Sequence, residues 1–255
     1  MPQIFKIKNS LAAILLFALI ACERKIEQFE TPQIAEYFPT TIGKHIIYRV
    51  DSTVFTNFGR TEETHKYQVK HEVDAEIRDN QNRISYRIIR SRRDTAGTQP
   101  WIIDGTYFVT SLSDQVEVIE NNLRFIKLHL PIKLQTKWKG NRYLSSNPFF
   151  PNYSFNNDDN MNDWDYNYFQ FHDSLLIGNQ QIKDIITVNQ IDEAVNVPIV
   201  NAGAYASKSF SIEKYAKNIG LVYKDFILWE YQPNPGGTLG YKIGFGMKMW
   251  MINHN

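Results

Sequence analysis

Period-two alternation of apolar and polar side chains is the strongest constraint on what this chain can fold into. Tyr67, Val69, His71, Val73, Ala75 and Ile77 share one parity, while Lys66, Gln68, Lys70, Glu72, Asp74 and Glu76 hold the other. Only an extended strand sends successive side chains to opposite faces, so this run reads as a strand with one buried and one wet face. The last segment follows the same rule. Tyr241, Ile243, Phe245, Met247, Met249 and Met251 stand against Lys242, Gly244, Gly246 and Lys248, and the two glycines mark a bend or a close neighbour. Further strands are predicted over residues 45–55, 83–90, 107–112, 115–119, 123–130, 166–176, 182–190, 210–214 and 221–231. Turn chemistry at Asp79-Asn80-Gln81-Asn82, Ile177-Gly178-Asn179 and Asn218-Ile219-Gly220 separates them at hairpin spacing. No long helical pattern intervenes, so the connections are antiparallel and little helix is expected beyond a short turn near 34–38. The fold class is mainly β over residues 40–255: one large antiparallel curved sheet or incomplete barrel, with a two-sheet β-sandwich as the alternative. No internal repeat points to a propeller or solenoid.

Residues 145–165 break the alternation and are expected to form a long loop, which makes them the first place to look for a site. Three readings of it stay open. The loop is solvated and pinned to the sheet by its aromatics, or it grips a sugar, or it holds calcium. For a sugar, Tyr153, Phe155 and Trp164 would stack on the apolar ring face while Asp163 and Asp165 take hydroxyls. For calcium the spacing is wrong: counting from Asp158, Asp163 stands where the loop needs glycine and Phe169 where it needs a bidentate glutamate. No metal and no cofactor is assigned.

The chain opens with Lys6 and Lys8, an apolar core over residues 11–20, and Ala21 before Cys22, which is the layout of a signal peptide. Such an apolar core, if helical, covers about half of a roughly 30 Å hydrocarbon layer and does not span it. Leu19-Ile20-Ala21-Cys22 resembles the lipobox of bacterial lipoproteins at all four positions. The resemblance implies removal of residues 1–21, diacylation of Cys22 and acylation of the new amino terminus, and two or more acyl chains anchor firmly to a membrane. Cys22 is the sole cysteine. With lipid on it, disulfides, cysteine metal sites and cysteine nucleophiles drop out. Residues 22–39 are polar, contain Pro32 and Pro39, and read as a flexible tether. Glu23 is unlike the aspartate that, in some bacteria, goes with inner-membrane retention, so the outer membrane is favoured and its side left open. Loss of Lys6 and Lys8 leaves 26 basic and 27 acidic residues, a near-neutral balance that argues against a nucleic-acid partner.

Catalytic patterns are scarce. There is no nucleophile elbow and no phosphate-cradling loop, and His65 and His71 lie about 20 Å apart along a strand, too far to share a metal. His71 sits on the apolar parity and reads as a partly buried, hydrogen-bonded histidine. Asp163, Asp165, Asp225 and Glu230 are the carboxylates a glycosidase could use, and none is assigned a role. Tyr37-Phe38-Pro39 with Gly43 and Tyr48-Arg49-Val50, and later Glu213-Lys214-Tyr215-Ala216 with Gly220-Leu221-Val222-Tyr223-Lys224, resemble segments of uncharacterised β-rich bacterial lipoproteins. That resemblance implies an envelope fold and carries over no site residue. Asp51-Ser52-Thr53, Asp94-Thr95-Ala96 and Asp173-Ser174-Leu175 resemble an O-glycosylation acceptor pattern of some Gram-negative envelopes, with Ser52, Thr95 and Ser174 as acceptors. They read equally as strand-end and turn hydroxyls. Three functions stay open: a non-catalytic envelope module that binds a lipid, glycan or polymer, a subunit docked on another outer-membrane protein, or a hydrolase. Intact-mass measurement of the mature protein from its native host is expected to show a chain beginning at Cys22 with acyl mass added, and sugar mass if the acceptors are used. An unmodified polypeptide mass overturns both.

Overall fold

The first and last strands pair with each other, and that pairing turns an antiparallel meander into a barrel. A computed structural model describes residues 33–150, 152–154, 156, 160–234 and 240–255. The signal segment, Cys22, the tether up to residue 32 and Phe155 lie outside the described residues. The strands are β1 (His45–Thr56), β2 (Thr61–Arg78), β3 (Ile84–Asp94), β4 (Ile102–Ser111), β5 (Gln115–Glu120) and β6 (Leu123–His129), followed by β7 (Lys137–Lys139), β8 (Asp165–Ile177), β9 (Gln180–Val195), β10 (Ala206–Ala216), β11 (Gly220–Gln232) and β12 (Tyr241–His254). All belong to one antiparallel sheet in the order β6-β5-β4-β3-β2-β1-β12-β11-β10-β9-β8-β7, a nearly closed barrel whose seam lies between β6 and β7. The sandwich alternative is not formed. Among the described residues there is no α-helix, only two 3-10 turns, Ile34–Tyr37 and Met161–Asp163.

The alternation read from the sequence sets inside from outside. On β1 and β12, Tyr48 stands opposite Met251 and Val50 opposite Met249, and all four side chains are buried in the barrel. Val69 and Val73 of β2 join them, while Lys66, Glu76 and their neighbours of like parity face outward. A transmembrane barrel has the reverse arrangement, with an apolar outer band and a polar lumen. Gly244 accounts for one of the two glycines on β12: it has φ +129° and lies so close to β11 that an added Cβ would stand 2.2 Å from the Leu228 carbonyl oxygen.

Because the strands run up and down, the connections alternate between the two ends. At one end the residues just before β1 act as a plug, with Ile34 and Tyr37 buried and the Asn218 amide donating to the Glu36 carbonyl at 2.6 Å. Residues 33–39 were expected as tether, and their apolar side chains instead pack this stretch onto the barrel. At the other end Phe149, Tyr153 and Met161 lie across the mouth. Phe149 lies 5.2 Å and Tyr153 5.1 Å from the Phe245 ring, and Met161 is buried.

The seam is stitched by separate bonds where every other neighbour pair has a ladder. The Ile126 amide donates to the Gly140 carbonyl at 2.7 Å, and the Trp138 indole Nε1 donates to the Ile126 carbonyl at 2.9 Å. Further down, the Tyr168 hydroxyl accepts from the His129 amide at 3.2 Å and donates to its carbonyl at 2.8 Å. Gly140 makes this possible, since an added Cβ would stand 2.3 Å from the ring of buried Tyr166. Gly140→Ala is expected to push that ring aside and loosen the seam, lowering unfolding free energy by about 1–3 kcal/mol. Urea denaturation measures it, and a loss below about 0.5 kcal/mol, the range of an ordinary surface change, would show that the seam is not so packed.

Candidate functional site

The interior is not filled. It holds a cavity of about 400 Å³ walled by Tyr48, Val50, Val69, Val118, Met247 and Met249, among others. Phe38 and Pro39 reach it from the plugged end, and Phe149 and Met161 from the loop across the mouth. Methionines suit such a wall because their unbranched chains conform to irregular contents.

One side of the cavity is polar, and β10 supplies it. Along this strand Phe210 and Ile212 look like the buried parity, yet Ser209, Ser211, Glu213 and Tyr215 are the buried ones. The strand is inverted relative to its hydrophobicity, and its polar face meets partners inside. The Ser211 hydroxyl donates to Gln190 Oε1 at 2.6 Å, and Gln190 Nε2 donates to Glu213 Oε2 at 2.8 Å. Tyr215 donates to the same Oε2 at 2.6 Å, and Lys127 Nζ, from β6, donates to Oε1 at 2.8 Å. Lys224 Nζ, from β11, stands 3.6 Å from Oε1. Burial by itself raises the Glu213 pKa, but the charges of Lys127 and Lys224 and the bonds from Lys127 and Tyr215 outweigh it and hold the carboxyl at about 2. A carboxylate so held is a charge partner and a poor proton acceptor. Burial lowers the Lys127 pKa, against the opposing pull of Glu213.

His71 faces the same cavity from β2. Its Nδ1 is hydrogen-bonded to the Tyr107 hydroxyl at 3.1 Å, and its ring sits edge-on between Tyr48 and Tyr107, with centroids 5.1 and 5.3 Å away. This agrees with the partly buried, hydrogen-bonded histidine expected from its parity. Burial lowers its pKa to about 4; Glu120 and Asp104 oppose the shift, and Arg90 and Lys224 add to it. At the rim Arg90 is committed to Glu120 and, at 3.1 Å, to Asp104.

Among the described residues, the loop side chains singled out from the sequence do not gather into one site. Tyr153 packs on Phe245, Trp164 is buried at 8% exposure and presents no ring to solvent, and Phe155 lies outside the described residues. Asp163 and Asp165 both pair with Lys139 on the surface, at 2.8 and 3.0 Å. Glu230 is a fastener: its Oε2 accepts from the Asn156 amide at 2.8 Å and from Tyr205 at 3.1 Å, tying the loop to the rim. Asp225 pairs with Lys248 at 2.9 Å. Of the hydroxyls, Ser174 and Thr95 are exposed, Thr95 donating to the Lys66 carbonyl at 2.6 Å, and Ser52 is half-buried within β1. The residues that do converge are Glu213, Lys127, Lys224 and Gln190. Sequence reasoning passed over them; the available signal was the polar parity Ser209, Ser211, Glu213 next to a strand of opposite hydrophobicity.

No protein-family description and no curated protein matches the chain. Two solved structures resemble it. One is a Bacteroides fragilis protein described as a candidate for export with a YmcC-like fold, 9% identical, covering 86% of this chain and 98% of that one with a TM-score of 0.42. The other is a DUF1329 family protein from Desulfovibrio piger, 12% identical, covering 84% and 85% with a TM-score of 0.17. At these values neither likeness enters the functional argument.

The buried histidine sets a pH dependence of definite sign. Unfolded, His71 binds its proton near its ordinary 6.5; folded, only near about 4. Between those values the unfolded chain holds more protons, so the stability present above about pH 6.5 is lost as pH falls toward 4, by up to about 3 kcal/mol. Glu213 adds a further loss below its ordinary 4.5, as pH falls toward about 2. His71→Phe is expected to flatten the slope of the urea midpoint between pH 6.5 and 4, whatever it does to absolute stability. Equal slopes in the two proteins would refute this.

Proposed function

We propose that this protein is a non-catalytic, lipid-anchored envelope module that holds an apolar small molecule, a lipid or acyl chain, inside its barrel. The observation that carries the reading is the cavity of about 400 Å³ inside a barrel whose outer face is charged. Small-molecule sites are concave, mostly apolar, about 300–1,000 Å³, and carry a few placed polar groups, which describes this interior. The apolar walls favour an acyl chain over a glycan, whose hydroxyls would lose their water against Val50, Val69 and Val118. Leu19-Ile20-Ala21-Cys22 supports the anchor and the envelope location. Glu213, with all of its strong partners already in place, supports binding over hydrolysis.

The full chain with Cys22→Ser, which removes the lipid attachment atom, is the material for the test. Titration with a fluorescent apolar probe is expected to show saturable one-to-one binding that dodecanol or dodecanoate displaces. Val118→Phe, which adds volume inside the cavity, is expected to weaken probe binding about tenfold while leaving the far-ultraviolet spectrum unchanged. Absence of saturable binding in the parent protein would refute the reading.

A further inference from the structure

Building on that reading, we infer that the ligand carries an oxyanion head group, a carboxylate or phosphate ester, seated on Lys224 and Lys127 beside the polar wall of β10. The cavity wall carries donors without acceptors. Two ammonium groups bring six N–H donors to the cavity wall. Lys127 spends one on Glu213 Oε1 at 2.8 Å, with its ammonium also 4.8 Å from the Phe125 ring centre. Lys224 stands 3.6 Å from the same oxygen, beyond hydrogen-bond reach, and its other contact is the Phe226 ring at 5.9 Å.

Glu213 does not hydrogen-bond Lys224 in this arrangement. Its Oε2 already accepts from Gln190 and Tyr215, and its Oε1 from Lys127. The other carboxylates on the cavity wall, Glu120 and Asp104, are held by Arg90 at the rim. So Lys127 and Lys224 share one carboxylate at an apolar wall, with Lys127 alone hydrogen-bonded to it, and buried charges are costly unless paired and hydrogen-bonded. An oxyanion placed against Lys224 supplies both the charge and the acceptors, and the apolar wall of Tyr48, Val50 and Met249 takes the chain. A neutral hydroxyl would accept a bond without giving Lys224 a hydrogen-bonded anion.

The test compares heads on one tail. With the Cys22→Ser full chain, calorimetry on dodecanoate, dodecyl phosphate and dodecanol is expected to rank the two anions about tenfold or more tighter than the alcohol, the scale of one bond to a charged group. Lys224→Met is expected to weaken dodecanoate about tenfold and leave dodecanol unchanged, with Lys224→Arg restoring the difference. The comparison within the unmutated protein stands even if a variant fails to fold. Equal affinity of dodecanol and dodecanoate overturns the head-group inference and leaves the cavity reading intact, whereas binding of none of the three overturns the cavity reading itself. Inorganic phosphate bound as tightly as dodecyl phosphate would mean that a free anion is the ligand, and overturns the acyl chain.

Discussion

The ladder between β1 and β12 is the interaction on which the rest depends. It runs from Ile46 opposite His254 to Thr53 opposite Gly246 and joins segments about two hundred residues apart in the chain. Two six-strand meanders, β1 to β6 and β7 to β12, would otherwise be open sheets with wet inner faces. Joined, they enclose a region of low dielectric, and only there does a carboxylate with two lysines become a strong local feature. The depressed pKa of Glu213 and the suppressed protonation of His71 both follow from that enclosure. The closing contact is also the most non-local one, and pairings of that kind form late because loop closure must precede their reward.

The inverted strand explains how polar groups come to stand inside without destabilising the wall. Each polar side chain of the β10 inner face that enters the network finds a partner from a neighbouring strand or across the lumen: Ser211 on Gln190, Gln190 on Glu213, Glu213 on Lys127. A satisfied network rigidifies a buried wall, whereas a half-satisfied one weakens it. On the outer side Phe210 is not left bare, since the Lys208 ammonium lies 5.6 Å from its ring centre. The strand therefore exchanges the usual faces at little cost and gives the lumen one polar side.

Much of the sheet was legible in the sequence because period two is a local property. β1, β2, β11 and β12 stand close to where parity put them, and the turn at Asn218-Ile219-Gly220 joins β10 and β11 as its residues suggested, with Asn218 at φ 63°. β7 was missed, since Lys137, Trp138 and Lys139 are too few to show a period. The site was illegible for a different reason. Glu213 lies in a segment noted for its resemblance to other proteins, but Lys127 is 86 residues away from it and arrives only through the topology. Trp164 misled because a one-dimensional reading assigns loop aromatics to solvent, while this ring is buried in the same core cluster as Met161. A void has no residue of its own and leaves no mark on any single strand.

The seam gives the barrel wall a mechanical asymmetry. A ladder is cooperative: each pair holds its neighbours in register, so that parting one place strains the next. Among the described residues the joint between β6 and β7 has no register to propagate, only a backbone bond at Ile126 and side-chain bonds from Trp138 and Tyr168 that can break one at a time. β6, laddered to β5 on its other side, also carries Lys127, so a strand that borders the seam holds one of the two lysines set against Glu213. The weak joint and a cavity-wall lysine thus coincide on the same seven residues of chain.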